Sequence, residues 1–417
     1  MTSLAYAALW LFIFSVPWEG LTASNGITVI TRVTGALALG LTLSSVIISA
    51  RVRRWRMVHV LALLFVLWCG LGIMMFHMPQ VPRKFYTFVQ LFAVLWMIWE
   101  LAPSRGRVLG LLLAYVGGAY VSVFGTLLLF RREAGVLRRF SAGGVDPNTL
   151  AMMLAMALPM AWYLGMYHQK PWLRWVCRAY VPIGMVAIGL TGSRGGMIAS
   201  LVALLFVPLS MTNLSPGRLV TAITVLSLSG ALAVAYVPDR VVQRLATTGE
   251  SVEDLSFGGR FRLWRAGANA FARKPLMGHG VSSFKRAVTA DLGSNIQVAH
   301  NSYLSVLVEE GLIGFLMFSM MLFSVFLAVL RLSRLERRFA LVLFFTAAVA
   351  MLPLTMEDHK SIWVVLGILI GFSAVHQSAM SRVFQPSGPV HPRPFLRPQP
   401  ASRLGDAGVA RARDNRV

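Results

Sequence analysis

The sequence predicts an all-α polytopic membrane protein, and three observations carry that prediction. Apolar residues make up 56% of the chain against 13% charged, and the mean hydropathy is +0.67, far from the balance of a soluble domain. The apolar residues gather into repeated runs of about 18 to 25 residues, long enough to cross a hydrocarbon core as helices. Those runs are continuous rather than alternating with period two, which argues against a transmembrane β-barrel.

Taken in order, the runs predict about twelve transmembrane helices near residues 4–18, 26–50, 57–77, 84–102, 107–130, 148–167, 173–191, 195–211, 218–236, 311–330, 338–355 and 361–379. The first lacks a basic leader and a convincing small-residue cleavage site, so it reads as an uncleaved helix. Arg51, Arg53, Arg54 and Arg56 follow the second span, and Arg105 and Arg107 the fourth. Lys170, Arg174 and Arg178 mark the sixth connection; Arg331, Arg334, Arg337 and Arg338 mark the tenth. All fall on one side if both termini are cytoplasmic, as the positive-inside rule requires. That pattern accounts for most of the formal charge of +23 without nucleic acid as a partner. Cys69 and Cys177 lie in or beside apolar runs and read as small buried residues, with no disulfide framework or zinc pattern.

The chain thus divides into spans one to nine (1–236), a long extracytoplasmic loop (237–310), the last three spans (311–380) and a tail (381–417). The tail is rich in Pro, Arg and Ser, lacks apolar periodicity, and is expected to be disordered. Two outward segments strain the topology rule. The loop after the fifth span carries Arg131, Arg132, Arg138 and Arg139 against Glu133 and Asp146. The long loop carries nine cations, among them Arg240, Arg260, Arg262 and Arg265. Such groups can be solvated, can attract anionic membrane lipids at roughly 1 kcal/mol each, or can bind a phosphorylated lipid or saccharide.

Three motifs bear on that choice. In LTGSRGGMIAS, Arg194 stands at the outer boundary between Ser193 and Gly195–Gly196, at the start of a helix. An arginine beside a helix N-terminus suits a phosphate oxyanion; it can equally be a snorkelling residue in a tight turn. In GGRFRLWRAGANAFARKPLMGHG, helical periodicity puts Trp264, Ala268 and Phe271 on one face, predicting an amphipathic helix on the membrane surface. Arg260, Arg262 and Arg265 spread round its first turns, Pro275 stops it, and Gly278 and Gly280 bracket His279 in a turn. In VAHNSYLSVLVEEGLIGF, His300 heads a short helix that ends at Gly311, where the next span begins. A lone histidine is most often structural, yet an imidazole at the water–lipid boundary is well suited to take a proton at neutral pH. Asn301 could orient it or bind a sugar hydroxyl, while Glu309 and Glu310 lie on the span side and read as orienting or structural. No Asp-x-Asp pair in an outer loop and no cluster at metal-ligand spacing appears, so neither metal nor cofactor is expected.

The ordered set TGSRGG, GGRFRLWRAGANAFARKPLMGHG and AHNSYLSVLVEEGLIGF, with VDPN at Val145–Asn148, resembles the O-antigen ligase and polymerase superfamily of bacterial envelope enzymes over roughly residues 140–330. The resemblance implies a GT-C-like membrane glycosyltransferase of the bacterial inner membrane, inverting and metal-independent, with its site facing the periplasm. Its donor would be a glycan on undecaprenyl pyrophosphate, and the ligase acceptor a sugar hydroxyl on the lipid A–core of lipopolysaccharide. Carried over by motif, His300 would be the base and Arg194 would bind the pyrophosphate, helped by Arg260 or its rival Arg265. Ser193, Arg262 and Asn301 are the neighbouring substrate-binding candidates. Arg131, Arg132, Arg138 and Arg139 would meet phosphates of the acceptor. A polymerase or a protein oligosaccharyltransferase would share the donor site, and a lipid or polysaccharide transporter is the non-enzymatic alternative.

Overall fold

The computed structural model describes residues 1–22, 29–77, 80–133, 139–211, 215–236, 260–293 and 298–383. The expectations placed on residues 237–259, including Arg240, on Arg138 and on the tail beyond 383 lie outside these described residues. Every regular element among them is helical. The first ten helices are α1 (Thr2–Ser15), α2 (Val29–Ser49), α3 (Met57–Met75), α4 (Arg83–Leu101), α5 (Arg105–Glu133), α6 (Pro147–Tyr167), α7 (Pro171–Leu190), α8 (Arg194–Leu204), α9 (Phe206–Met211) and α10 (Pro216–Tyr236). After the long connection come α11 (Arg260–Arg273), α12 (Phe284–Leu292), α13 (Ser302–Leu330), α14 (Arg334–Ala350) and α15 (Lys360–Val383).

Each of the twelve apolar runs falls on a helix, with α8 and α9 sharing the eighth. Nine segments among the described residues are long and apolar enough to cross a membrane, which makes this a multi-pass membrane protein. Nine of the twelve expected spans meet that measure among the described residues, while helix α1, at 14 residues, α14, at 17, and the Pro216–Leu232 run of α10 are shorter than it.

Helix α6 is the hub. Every residue from Leu150 to Met166 is buried, as expected of a helix that is apolar all round, and α5, α7, α8 and α14 pack against it. Tyr163 stacks on Phe339 of α14 with ring centroids 4.4 Å apart, and Trp162 donates to Ser210 Oγ at 2.9 Å. The basic connections gather at one end of the bundle. Arg53 donates to the Trp99 carbonyl at 2.7 Å, Arg107 to that of Leu101 at 2.9 Å, and Arg338 to that of Leu209 at 2.8 Å, while Arg105 pairs with Glu336.

The described part of the long loop forms the expected helix, α11. The residues it buries within the protein are Leu263, Ala266, Gly267 and Ala270, whereas Ala268 is exposed and Trp264 and Phe271 are partly buried. That face packs on α12 and on the first turns of α13, forming a small second core with Phe284, Ala287, Val288, Ala299 and Val308. Small residues win the buried face because the helices cross closely: a Cβ on Gly267 would sit 2.8 Å from the Leu304 side chain. Helix α12 was not foreseen, although Phe284, Ala287 and Val288 carry a helical spacing.

The break at Gly311 is where the sequence expects it. Helix α13 is interrupted there by φ 65°, ψ −171°, a region essentially restricted to glycine. The PLMGHG turn fills the gap by backbone pairing. His279 N donates to the Val308 carbonyl at 3.0 Å and Gly280 N to that of Glu309 at 2.7 Å. In return Leu312 N donates to the Pro275 carbonyl at 2.8 Å and Ile313 N to that of Leu276 at 3.3 Å. A Cβ on Gly311 would lie 2.3 Å from the Leu276 oxygen. Gly311→Ala is therefore expected to destabilise the protein by more than the ~1–3 kcal/mol of backbone strain alone, read as thermal unfolding in detergent. Gly293, with φ 76° and ψ −159° and open space around it, is the control: Gly293→Ala should cost the strain without the clash. Equal losses for the two would show the crowding at Gly311 to be inconsequential.

Candidate active site

Four chain segments meet at the end of the bundle opposite the basic connections. The first is the start of α6. Asp146 caps it, accepting from the amides of Asn148 and Thr149 at 3.0 Å each, and Pro147 occupies the first turn, where its missing amide costs nothing. Arg139, in the segment leading up to this cap, donates from Nη2 to Asn148 Oδ1 at 2.7 Å and from Nε to the Thr191 carbonyl at 2.8 Å. It thereby ties the start of α6 to the α7–α8 junction.

That junction is the second segment. Gly192 turns the chain with φ 59°, and buried Ser193 caps α8 by accepting from Gly196 N at 3.1 Å. Arg194 opens α8 and is half-buried. The following glycines permit close packing. A Cβ on Gly196 would meet Ala151 of α6 at 2.3 Å, and one on Gly195 would meet Met152 and Pro353 at 2.8 Å. Arg194 is thus held between α6 and the α14–α15 connection.

The third segment carries His300, and the fourth, residues 351–359 between α14 and α15, holds it. His300 adopts φ 47°, in the left-handed region, and its amide donates to Thr355 Oγ1 at 3.0 Å. Fully buried Ser302 is the peg beside it: its amide donates to the Met351 carbonyl at 2.9 Å, its hydroxyl to the Leu354 carbonyl at 2.8 Å, and it accepts from Met356 N at 2.8 Å. On the other flank Trp264 Nε1 donates to the Ala299 carbonyl at 3.2 Å, joining α11 to the histidine turn.

This arrangement sorts the residues that the motifs single out. Arg260, half-buried at the start of α11, lies within electrostatic reach of Asp146, Arg194 and His300. Arg262 and Arg265 are exposed, away from the buried face of α11. Arg194, Arg260 and His300 are thus brought together. Asn301 is a cap whose Oδ1 accepts from Leu304 N at 3.0 Å, so its side-chain oxygen, like that of Ser193, serves a helix end. Arg131 and Arg132 are exposed in the last turn of α5, whereas Arg139 belongs with the α6 and α8 starts.

Partial burial, and then the Arg260 guanidinium, hold the His300 imidazole below the ordinary histidine value, with Asp146 acting in the opposite direction. The shift favours the neutral ring, the form that accepts a proton. Beside it stand arginines and two helix N-termini, a combination that favours an oxyanion. His279, the other histidine of the loop, is engaged in structure: its Nε2 lies 2.8 Å from the Ala270 carbonyl. Thr355 and Glu357 were missed by the motif reading. The signal was the polar run TMEDHK between two apolar helices.

No curated protein matches the chain. Residues 179–319 match a family model described as O-antigen ligase, and this stretch contains Arg194, Arg260, Arg265 and His300. That match agrees with the resemblance drawn from the ordered motifs.

Proposed function

We propose that this protein is an inverting membrane glycosyltransferase of the O-antigen ligase type. It would move a glycan from undecaprenyl pyrophosphate to a sugar hydroxyl of lipid A–core at the periplasmic side of the inner membrane. The observation that carries the reading is the meeting of a neutral-poised imidazole, His300, with Arg260 and Arg194 at a face built from helix N-termini, all within the family-matched stretch.

In this reaction His300 accepts the proton of the acceptor hydroxyl as that oxygen attacks the anomeric carbon. The carbon–oxygen bond to pyrophosphate breaks on the opposite face, and the leaving group departs with the bonding electrons. Arg194 and Arg260 meet the charge that grows on it, an electrostatic contribution often among the largest in catalysis. Arg265, exposed one turn further along α11, is the weaker choice for this role. Arg139 fits a positioning role for the α6 and α8 starts, which leaves Arg131 and Arg132 for phosphates of the acceptor. Positive-inside placement of the basic end supports a periplasmic site with cytoplasmic termini.

The test is transfer by purified protein from an undecaprenyl-linked glycan to rough lipopolysaccharide in EDTA. A glycan ladder on lipopolysaccharide is expected; lengthened undecaprenyl-linked chains would indicate a polymerase instead. His300→Ala should lower turnover by about 100-fold or more while the protein remains folded and inserted, and near-normal turnover would remove His300 as the base. Arg194→Lys keeps the charge but loses the two-pronged donor. A loss of about 100-fold is expected, and wild-type kinetics would make this arginine structural.

The pH profile follows from the sign of the shift. The base works when neutral, so the rate should fall as pH drops through a His300 pKa that lies below the ordinary histidine value. Arg260→Gln removes a cation that disfavours protonation, so the acid limb should move to higher pH. Asp146→Asn removes an anion that favours protonation, and should move it lower. A limb that neither variant shifts would separate these charges from the base.

A further inference from the structure

Lys84 lies in the first turn of α4, and its side chain is 10% exposed. Its ammonium donates to Glu309 Oε2 at 2.9 Å, to Glu357 Oε1 at 2.5 Å and to Ser305 Oγ at 3.3 Å. Glu357 is fully buried and Glu309 is 4% exposed. Glu309 is engaged further, accepting from Ser282 N at 2.9 Å and from Phe284 N at 3.3 Å, at the start of α12. One cation therefore binds together α4, the short helix of α13, the entry to α12 and the 351–359 connection.

Two of these parts hold His300. The short helix begins two residues after it, and the 351–359 connection supplies Thr355 to its amide and three backbone partners to Ser302. Glu309 pins the far end of the short helix, and Glu357 pins the connection two residues beyond Thr355. Taking three charges out of water is a poor route to stability, because desolvation offsets much of the attraction. What such a cluster fixes well is the relative placement of the pieces it joins.

We propose that Lys84 is a positioning residue for His300, acting through Glu309 and Glu357 to hold the two segments that set the imidazole against the arginines. The inference rests on the reading of His300 as the base. It assigns a catalytic consequence to a side chain on a helix outside the family-matched stretch 179–319.

The test uses the full-length protein reconstituted in lipid, with Lys84→Met and the double variant Lys84→Met with Glu357→Gln. Transfer is measured as separate kcat and KM, and hydrogen–deuterium exchange is followed in residues 299–306 and 351–357, with α6 as the internal reference. Lys84→Met should lower kcat by about 100-fold, the scale of an ångström-level misplacement, and leave KM for the donor unchanged. Exchange should quicken in both segments but not in α6. The double variant leaves no unpaired charge at position 357, and Glu309 keeps its two amide donors. It should regain thermal stability without regaining kcat, and it carries the test if the single variant does not fold.

Recovery of kcat along with stability would overturn the proposal, leaving the cluster a purely structural one. Near-wild-type kcat in folded Lys84→Met, or unchanged exchange in both segments, would also overturn it. If the wild-type protein transfers no glycan at all, the ligase reading fails by itself. The exchange comparison still decides whether Lys84 holds the His300 segments: faster exchange supports the positioning and unchanged exchange overturns it.

Discussion

A helix that breaks near a membrane must have its freed backbone groups met, because hydrocarbon offers no water to meet them. At Gly311 this requirement organises the site. The four hydrogen bonds exchanged between residues 275–280 and residues 308–313 satisfy the break, and Trp68 of α3 adds a fifth by donating to the Glu310 carbonyl at 2.9 Å. The same bonds lock the α11–α12 lobe onto the helix headed by His300. The position of Arg260 relative to the imidazole follows from this backbone pairing as much as from any side-chain contact.

The site has two differently anchored halves. Arg194 and Asp146 sit at the starts of α8 and α6, two helices packed against each other, where Gly195 and Gly196 allow the backbones to approach. Arg260 and His300 belong to the lobe with its own small core. The α14–α15 connection touches both, through Pro353 against Gly195 and Thr355 under His300. A connection of nine residues thus does the aligning, and the buried ammonium of Lys84 in turn holds that connection.

Much of this was legible in the sequence, and the reasons for the rest are physical. Long apolar runs report helices directly, and glycine and proline at 275, 278, 280 and 311 report turns because few other residues suit those backbones. Helical periodicity marks α11 as amphipathic but does not say which of its residues meet the rest of the protein. The close crossing at Leu304 selects Ala266, Gly267 and Ala270, leaving Trp264 to anchor through its ring nitrogen. Ser193 and Asn301 were weighed as ligand groups, yet a polar residue just before a helix has a nearer claimant in the helix's own amides. The Lys84–Glu309–Glu357 cluster joins residues up to 273 positions apart, and no local pattern announces such a pairing.

The charge arrangement also bears on the order of events in the proposed reaction. Partial burial, and then Arg260, hold the His300 pKa down, which favours the neutral ring but makes it a weaker base. A pyrophosphate seated on Arg260 and Arg194 would offset that field, because its negative charge lies on the same side as the cations. His300 would then gain basicity only with the donor in place, when an acceptor hydroxyl has something to attack. The arginines in this view serve the leaving group and, through the field they lose on binding it, the base as well.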